Sequence, residues 1–139
     1  MPRAASSETV MRGHRAEADL PAAEVLAERI AAAHRLREHH LWEILRTLPS
    51  LAEARDDAEF RHRFRTLMER DDLVAASRLL VDAARPTCHL DQLVCLDGTW
   101  IARICSDGAI PRAVAVHIDR VAAVMAALVA LDRAGPVKH

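Results

Sequence analysis

Apolar residues recur at helical spacing from Pro21 to Leu48: Val25, Leu26, Ile30, Ala33, Leu36, Leu41, Ile44, Leu45 and Leu48. Neither glycine nor proline interrupts them and Pro49 follows, so the spacing predicts one long helix that opens on a proline-led turn. Ser50 and Glu53 then have capping-box spacing and predict a short helical turn. Asp56 and Glu59 repeat the signal before a stripe of Phe60, Phe64, Leu67 and Met68. Asp71 and Asp72 can cap a further helix through Leu73, Val74, Leu79, Leu80 and Ala84. Acidic residues do not break a helix as proline does, so 57–70 and 72–85 read as two helices or as one bent one. Pro86 closes the region.

The period changes in QLVCLDGTWIARIC, residues 92 to 105, where two β-prone runs flank Asp97-Gly98. Asp-Gly in that setting predicts a type I′ hairpin, because both central residues need positive φ. Asp107-Gly108 gives a second turn, and Pro111 is read as the start of a last helix ending near Gly135-Pro136. Along it Val114, Ile118, Val121, Met125 and Leu128 follow at spacings of four, three, four and three, a coiled-coil seam. Its middle, Val121 to Leu131, has no charged face, and such a helix must be covered all round. Three other helices and a hairpin are too few to cover every side, so the pattern predicts a homodimer built on this C-terminal helix. The expected fold is mainly α: a bundle of about four helices with one small β-hairpin before the C-terminal helix. Residues 1–19, polar and aperiodic, are expected to form a flexible N-terminal arm, and 20–139 a single helical domain.

Composition adds constraints rather than identity. The 139 residues are 51% hydrophobic and 28% charged, as expected of a folded chain. A net charge of -1 leaves no excess of cations for phosphate backbones. A winged-helix reading also fails locally, because the helix that would enter DNA begins at Asp71-Asp72 and offers one arginine, Arg78. No nucleic-acid partner is expected. The longest apolar run, Val121–Leu131, is too short for a membrane span, and the first 20 residues lack a secretory apolar run. Three cysteines without a CxxC pair suggest reduced thiols, so a cytoplasmic location is expected.

Chemistry-bearing motifs are scarce. Phosphate loops, GxSxG and HExxH are all missing, which leans the reading away from an enzyme. Eight histidines are the main lead, three of them in HRLREHHLWE. On a helix His39 or His40 can share a face with Glu43, and imidazole with carboxylate can bind zinc or iron. His39 and Glu43 are therefore the alternative metal ligands, although no cofactor is predicted. Trp42 and Trp100 are the only tryptophans, and with His40 they are candidate ligand or partner contacts. Core plugs are the competing role for both indoles.

The stretch from His34, HRLREHHLWEILRTLPSL, resembles the phosphoacceptor helix of one class of histidine kinases, with 57–85 as its return arm. The resemblance covers about a third of the chain, and Glu38 and His39 stand where that family has amide side chains. It implies a stand-alone phosphotransfer module with His34 as phosphoacceptor. By elimination the residues favour a non-catalytic regulatory or protein-interaction module that self-associates. A metal- or ligand-binding sensor, a phosphotransfer module and a small enzyme of unrecognised type are the alternatives.

Overall fold

The structure, a computed structural model, describes residues 19–134; residues 1–18 of the expected N-terminal arm lie outside the described residues, and Asp19 belongs to the first helix instead. In chain order come α1 (Asp19–Ala32), α2 (Glu38–Thr47), a 3-10 turn (Pro49–Leu51), α3 (Ala52–Asp56), α4 (Ala58–Glu69) and α5 (Leu73–Ala84). Strands β1 (Cys88–Leu96), β2 (Thr99–Ser106) and β3 (Ile110–His117) follow, and α6 (Arg120–Arg133) ends the described chain. The fold is thus mostly helical, with six helices among the described residues and a three-stranded antiparallel sheet ordered β1-β2-β3.

The long first helix is two helices. Leu36 turns into the core and its N–H donates to Asp119 Oδ2 at 3.1 Å, a bond that spans 83 residues. That partner takes 33–37 out of the helix with no local breaker to announce it. The expected Ser50–Glu53 capping box is also missing, since Ser50 Oγ has no partner and α3 starts at Ala52. Arg55 instead donates to the carbonyls of Leu45 and Leu48 (2.7 and 2.9 Å) and finishes α2. Residues 57–85 form two helices. Asp57 caps α4 and Asp72 caps α5 through the N–H groups of Glu59 and Ala75. Between them Asp71 takes φ 58°, the left-handed residue of a Schellman closure, with the N–H groups of Asp71 and Asp72 on the carbonyls of Met68 and Leu67.

The Asp97-Gly98 hairpin forms, with φ of 55° and 78° at its two turn residues. Past Asp107-Gly108 the expected helix does not start, because Ile110–His117 is a third strand. Val114 and Ile118 are four apart, and four residues preserve the face on a strand as well as on a helix. The alternation Ala113-Val114-Ala115-Val116 is the period-2 signal that the helical reading absorbed. Proline at the start of an edge strand costs no ladder hydrogen bond.

Helix α6 lies at the centre of the fold. One side packs on β2 and β3, the others on α1 and α5. Alanines face one another across the sheet contact, Ala102, Ala113 and Ala115 opposite an alanine-rich helix, which allows close approach. From Val121 to Leu131 every residue except Ala126 and Ala130 is buried, and Met125 is 0% exposed. The chain therefore covers this helix by itself. The seam expected to form a dimer interface is split, with Val114 and Ile118 outside on the sheet and Val121, Met125 and Leu128 in the core. An interface through the C-terminal helix is corrected on that ground.

Candidate functional site: the open face of the sheet

Strand alternation divides the sheet into two faces. Leu90, Leu93, Trp100, Ala102, Ile104, Ala113 and Ala115 pack towards α6 and the core. On the opposite face Val94, Ile101 and Val116 stand in one cross-strand row, and Gln92, Arg103 and Val114 in the next. Leu96 continues the outward positions of β1, and Ile118 those of β3 just beyond its end. Ile101 is half-buried by its neighbours, whereas Val94, Leu96, Val114, Val116 and Ile118 are 41 to 62% exposed. Together they form several hundred Å² of aliphatic surface, comparable to the largest patch on a typical monomer, roughly 300–600 Å² and often functional.

A polar margin borders this face. Arg103 holds Asp91 through Nη2 at 2.6 Å and Nε at 3.2 Å, which keeps the Asp91 carboxyl below its usual range. Cys105 lies buried beside the pair, and burial, then the Asp91 charge, push its thiol up. Asp91 sits where the β1–β2 register slips by one residue, so the pair marks an irregularity as well as a charge.

The residues singled out by sequence lie elsewhere. His39 and His40 lie side by side with ring centroids 4.1 Å apart and planes tilted by 34° at the start of α2, one turn before Glu43. Glu43 pairs with Arg29 of α1, so a guanidinium already occupies the carboxylate that a metal would need. Among the described residues no three His, Cys, Asp or Glu side chains gather as a metal site. His40 Nδ1 accepts the Arg37 N–H at 2.9 Å. Burial, and next the neighbouring His39, hold its imidazole below the ordinary histidine range against the pull of Glu43. His34 is exposed in the connector between α1 and α2, outside the helix on which the kinase resemblance placed it.

Trp42 is half-buried and meets Phe64 edge-on at 4.8 Å, joining α2 to α4. Trp100 is half-buried against the core, with the Arg120 guanidinium 5.4 Å from its ring centroid. Each indole thus serves as packing between elements. Sequence reasoning passed over the aliphatic row on the sheet. Its signal was the Ala/Val alternation of 113–116, with the smaller residue inward.

No helix among the described residues is long and apolar enough to cross a membrane. Compared with known proteins, the chain matches no family model, no curated protein and no solved structure.

Proposed function

We propose that this chain is a non-catalytic protein-interaction module that self-associates, and that its working surface is the open face of the sheet. The observation that supports this reading most is the Val94–Ile101–Val116 row with its exposed flanks Leu96, Val114 and Ile118. Half-buried antiparallel sheets usually turn polar residues to water; here the outward positions are largely aliphatic. Burying such surface favours association in proportion to its area, about 25 cal/mol per Å² before association costs are subtracted. Arg103, the charged residue in its outward rows, is paired with Asp91. A second copy is the simplest partner, since two-fold pairing of identical surfaces is the commonest assembly.

Co-expression of two differently tagged copies tests the reading. Purifying one tag should recover the other, and Val116→Lys in both copies should abolish the recovery while the helical circular-dichroism signal persists. Recovery of one tag alone from the unsubstituted protein would contradict self-association.

A further inference from the structure

We propose that His117 is an acid-sensitive latch: a proton on its Nδ1 unfastens the α1–α2 connector and the start of α6 from the end of β3. Its two partners require a neutral ring. Nε2 meets the Ile30 carbonyl at 2.8 Å and must carry the hydrogen, while Nδ1 meets the Asp119 N–H at 2.9 Å and must offer its lone pair. Asp119 in turn caps α6 and holds the connector, its Oδ2 accepting from Ala122 N–H at 3.0 Å and from Leu36 N–H at 3.1 Å. None of these bonds involves the open face of the sheet, so the latch stands apart from self-association.

His117 is half-buried, so a proton from solvent reaches the lone pair. Bound there, it turns an acceptor into a second donor and sets two N–H groups against each other. The Ile30 contact survives, because Nε2–H donates in either state. Acid therefore acts on the Asp119 side. From α6, Arg120 lies over Trp100, the β2 residue opposite His117. From α1, Arg29 beside Ile30 is paired with Glu43. On the connector, exposed His34, Arg35 and Arg37 flank Leu36, and His40 of α2 accepts the Arg37 N–H. Asp119, two residues on, is the acid that answers a charge on the ring, and its carboxylate is the one that the connector needs. The latch is closed when His117 is neutral and opens as pH falls through the histidine range, roughly pH 8 to 5.

Amide hydrogen exchange of the full chain tests this, read by NMR at Leu36 and Asp119, corrected for intrinsic rates and referenced to α4 amides for global opening. Between about pH 7.5 and about pH 5, protection at both amides should fall about tenfold more than in α4. His117→Asn keeps an acceptor for the Asp119 N–H, in the form of an Asx turn, and does not titrate. Its two amides should lose no more protection than α4 does. Equal losses in parent and variant place the effect on another histidine, His40 first, and overturn the latch. A parent chain whose two amides hold their protection, or lose it only in step with α4, overturns it as well. Should His117→Asn fail to fold, ring-nitrogen spectra of the parent chain decide. Protection lost in step with protonation of His117 Nδ1 supports the latch, and a doubly protonated ring with both amides still protected overturns it.

Discussion

His117 donates its Nε2–H to the Ile30 carbonyl across 2.8 Å and joins the end of β3 to the last turn of α1. Its Nδ1 accepts the Asp119 N–H at 2.9 Å, so the tautomer is fixed by two backbone partners of opposite kind. Asp119 completes the junction, since its Oδ2 accepts from Ala122 N–H at 3.0 Å and from Leu36 N–H at 3.1 Å. Four segments therefore meet at two adjacent polar side chains: the end of α1, the α1–α2 connector, β3 and the start of α6.

Asp119→Ala removes a helix cap and leaves the Leu36 N–H without a partner. The expected loss is about 2 kcal/mol, read as a lower urea midpoint at unchanged slope. Asp119→Ser restores the cap to α6 but not the reach to Leu36, and should recover about half of that loss. A loss below about 0.5 kcal/mol for the alanine variant would show that the junction does not hold the segments together.

This junction also explains what was legible beforehand. The caps at Asp72 and the Asp97-Gly98 turn are local chemistry, written within four residues, and sequence reading found them. The break at 33–37 depends on an acceptor 83 residues away, which no local pattern contains. The strand at 110–117 was hidden differently. Its outward valines continue into Ile118 and then α6 at spacings shared by strand and helix, so the period stayed ambiguous until Asp119 was seen to cap a helix starting at Arg120. For the candidate site, the histidine cluster at 39–40 was visible as residue types, but the Arg29 that engages Glu43 was not. The apolar residues of the expected seam fall in two places, α6, which the chain buries, and the sheet face, which it leaves open.

Met125→Glu discriminates between those two places. Met125 is fully buried inside one chain, so a carboxylate there is forced into the core with no partner. The expected result is loss of the folded state, at a cost above roughly 4 kcal/mol, with collapse of the helical circular-dichroism signal. A Met125→Glu variant that stays folded, soluble and monomeric would mean that α6 is not wrapped as described.

His40 gives stability a defined pH dependence. Its folded-state value lies below the ordinary 6.5, so on acidification the unfolded chain takes up this proton first. The stability it contributes is therefore present above pH 6.5 and is lost as pH falls below 6.5 towards the folded value. His40→Gln should show a smaller drop in urea midpoint between about pH 8 and about pH 5.5 than the parent chain. Equal drops in the two proteins would contradict a depressed His40.

The three cysteines should respond in a set order. Strand register sets Cys88 opposite Ser106, Cys95 opposite Trp100 and Cys105 opposite His89, so no two are paired, and all three are free. Cys95 is exposed, whereas Cys88 and Cys105 are buried and the Cys105 thiol is held in its protonated form. An aromatic disulfide reagent should titrate one thiol quickly in the native protein and three after unfolding without reductant. Finding a single thiol after unfolding would reveal a disulfide, and rapid native reaction of Cys105 would contradict its burial.

Light scattering coupled to size exclusion, applied to the unsubstituted chain at micromolar concentration, is the most direct test of the open sheet as an interface. A dimer has twice the 15.4 kDa chain mass, and that is the expected value, falling to 15.4 kDa in Val116→Lys. A mass of 15.4 kDa for the unsubstituted chain would contradict the proposal that a second copy covers the Val94–Ile101–Val116 row.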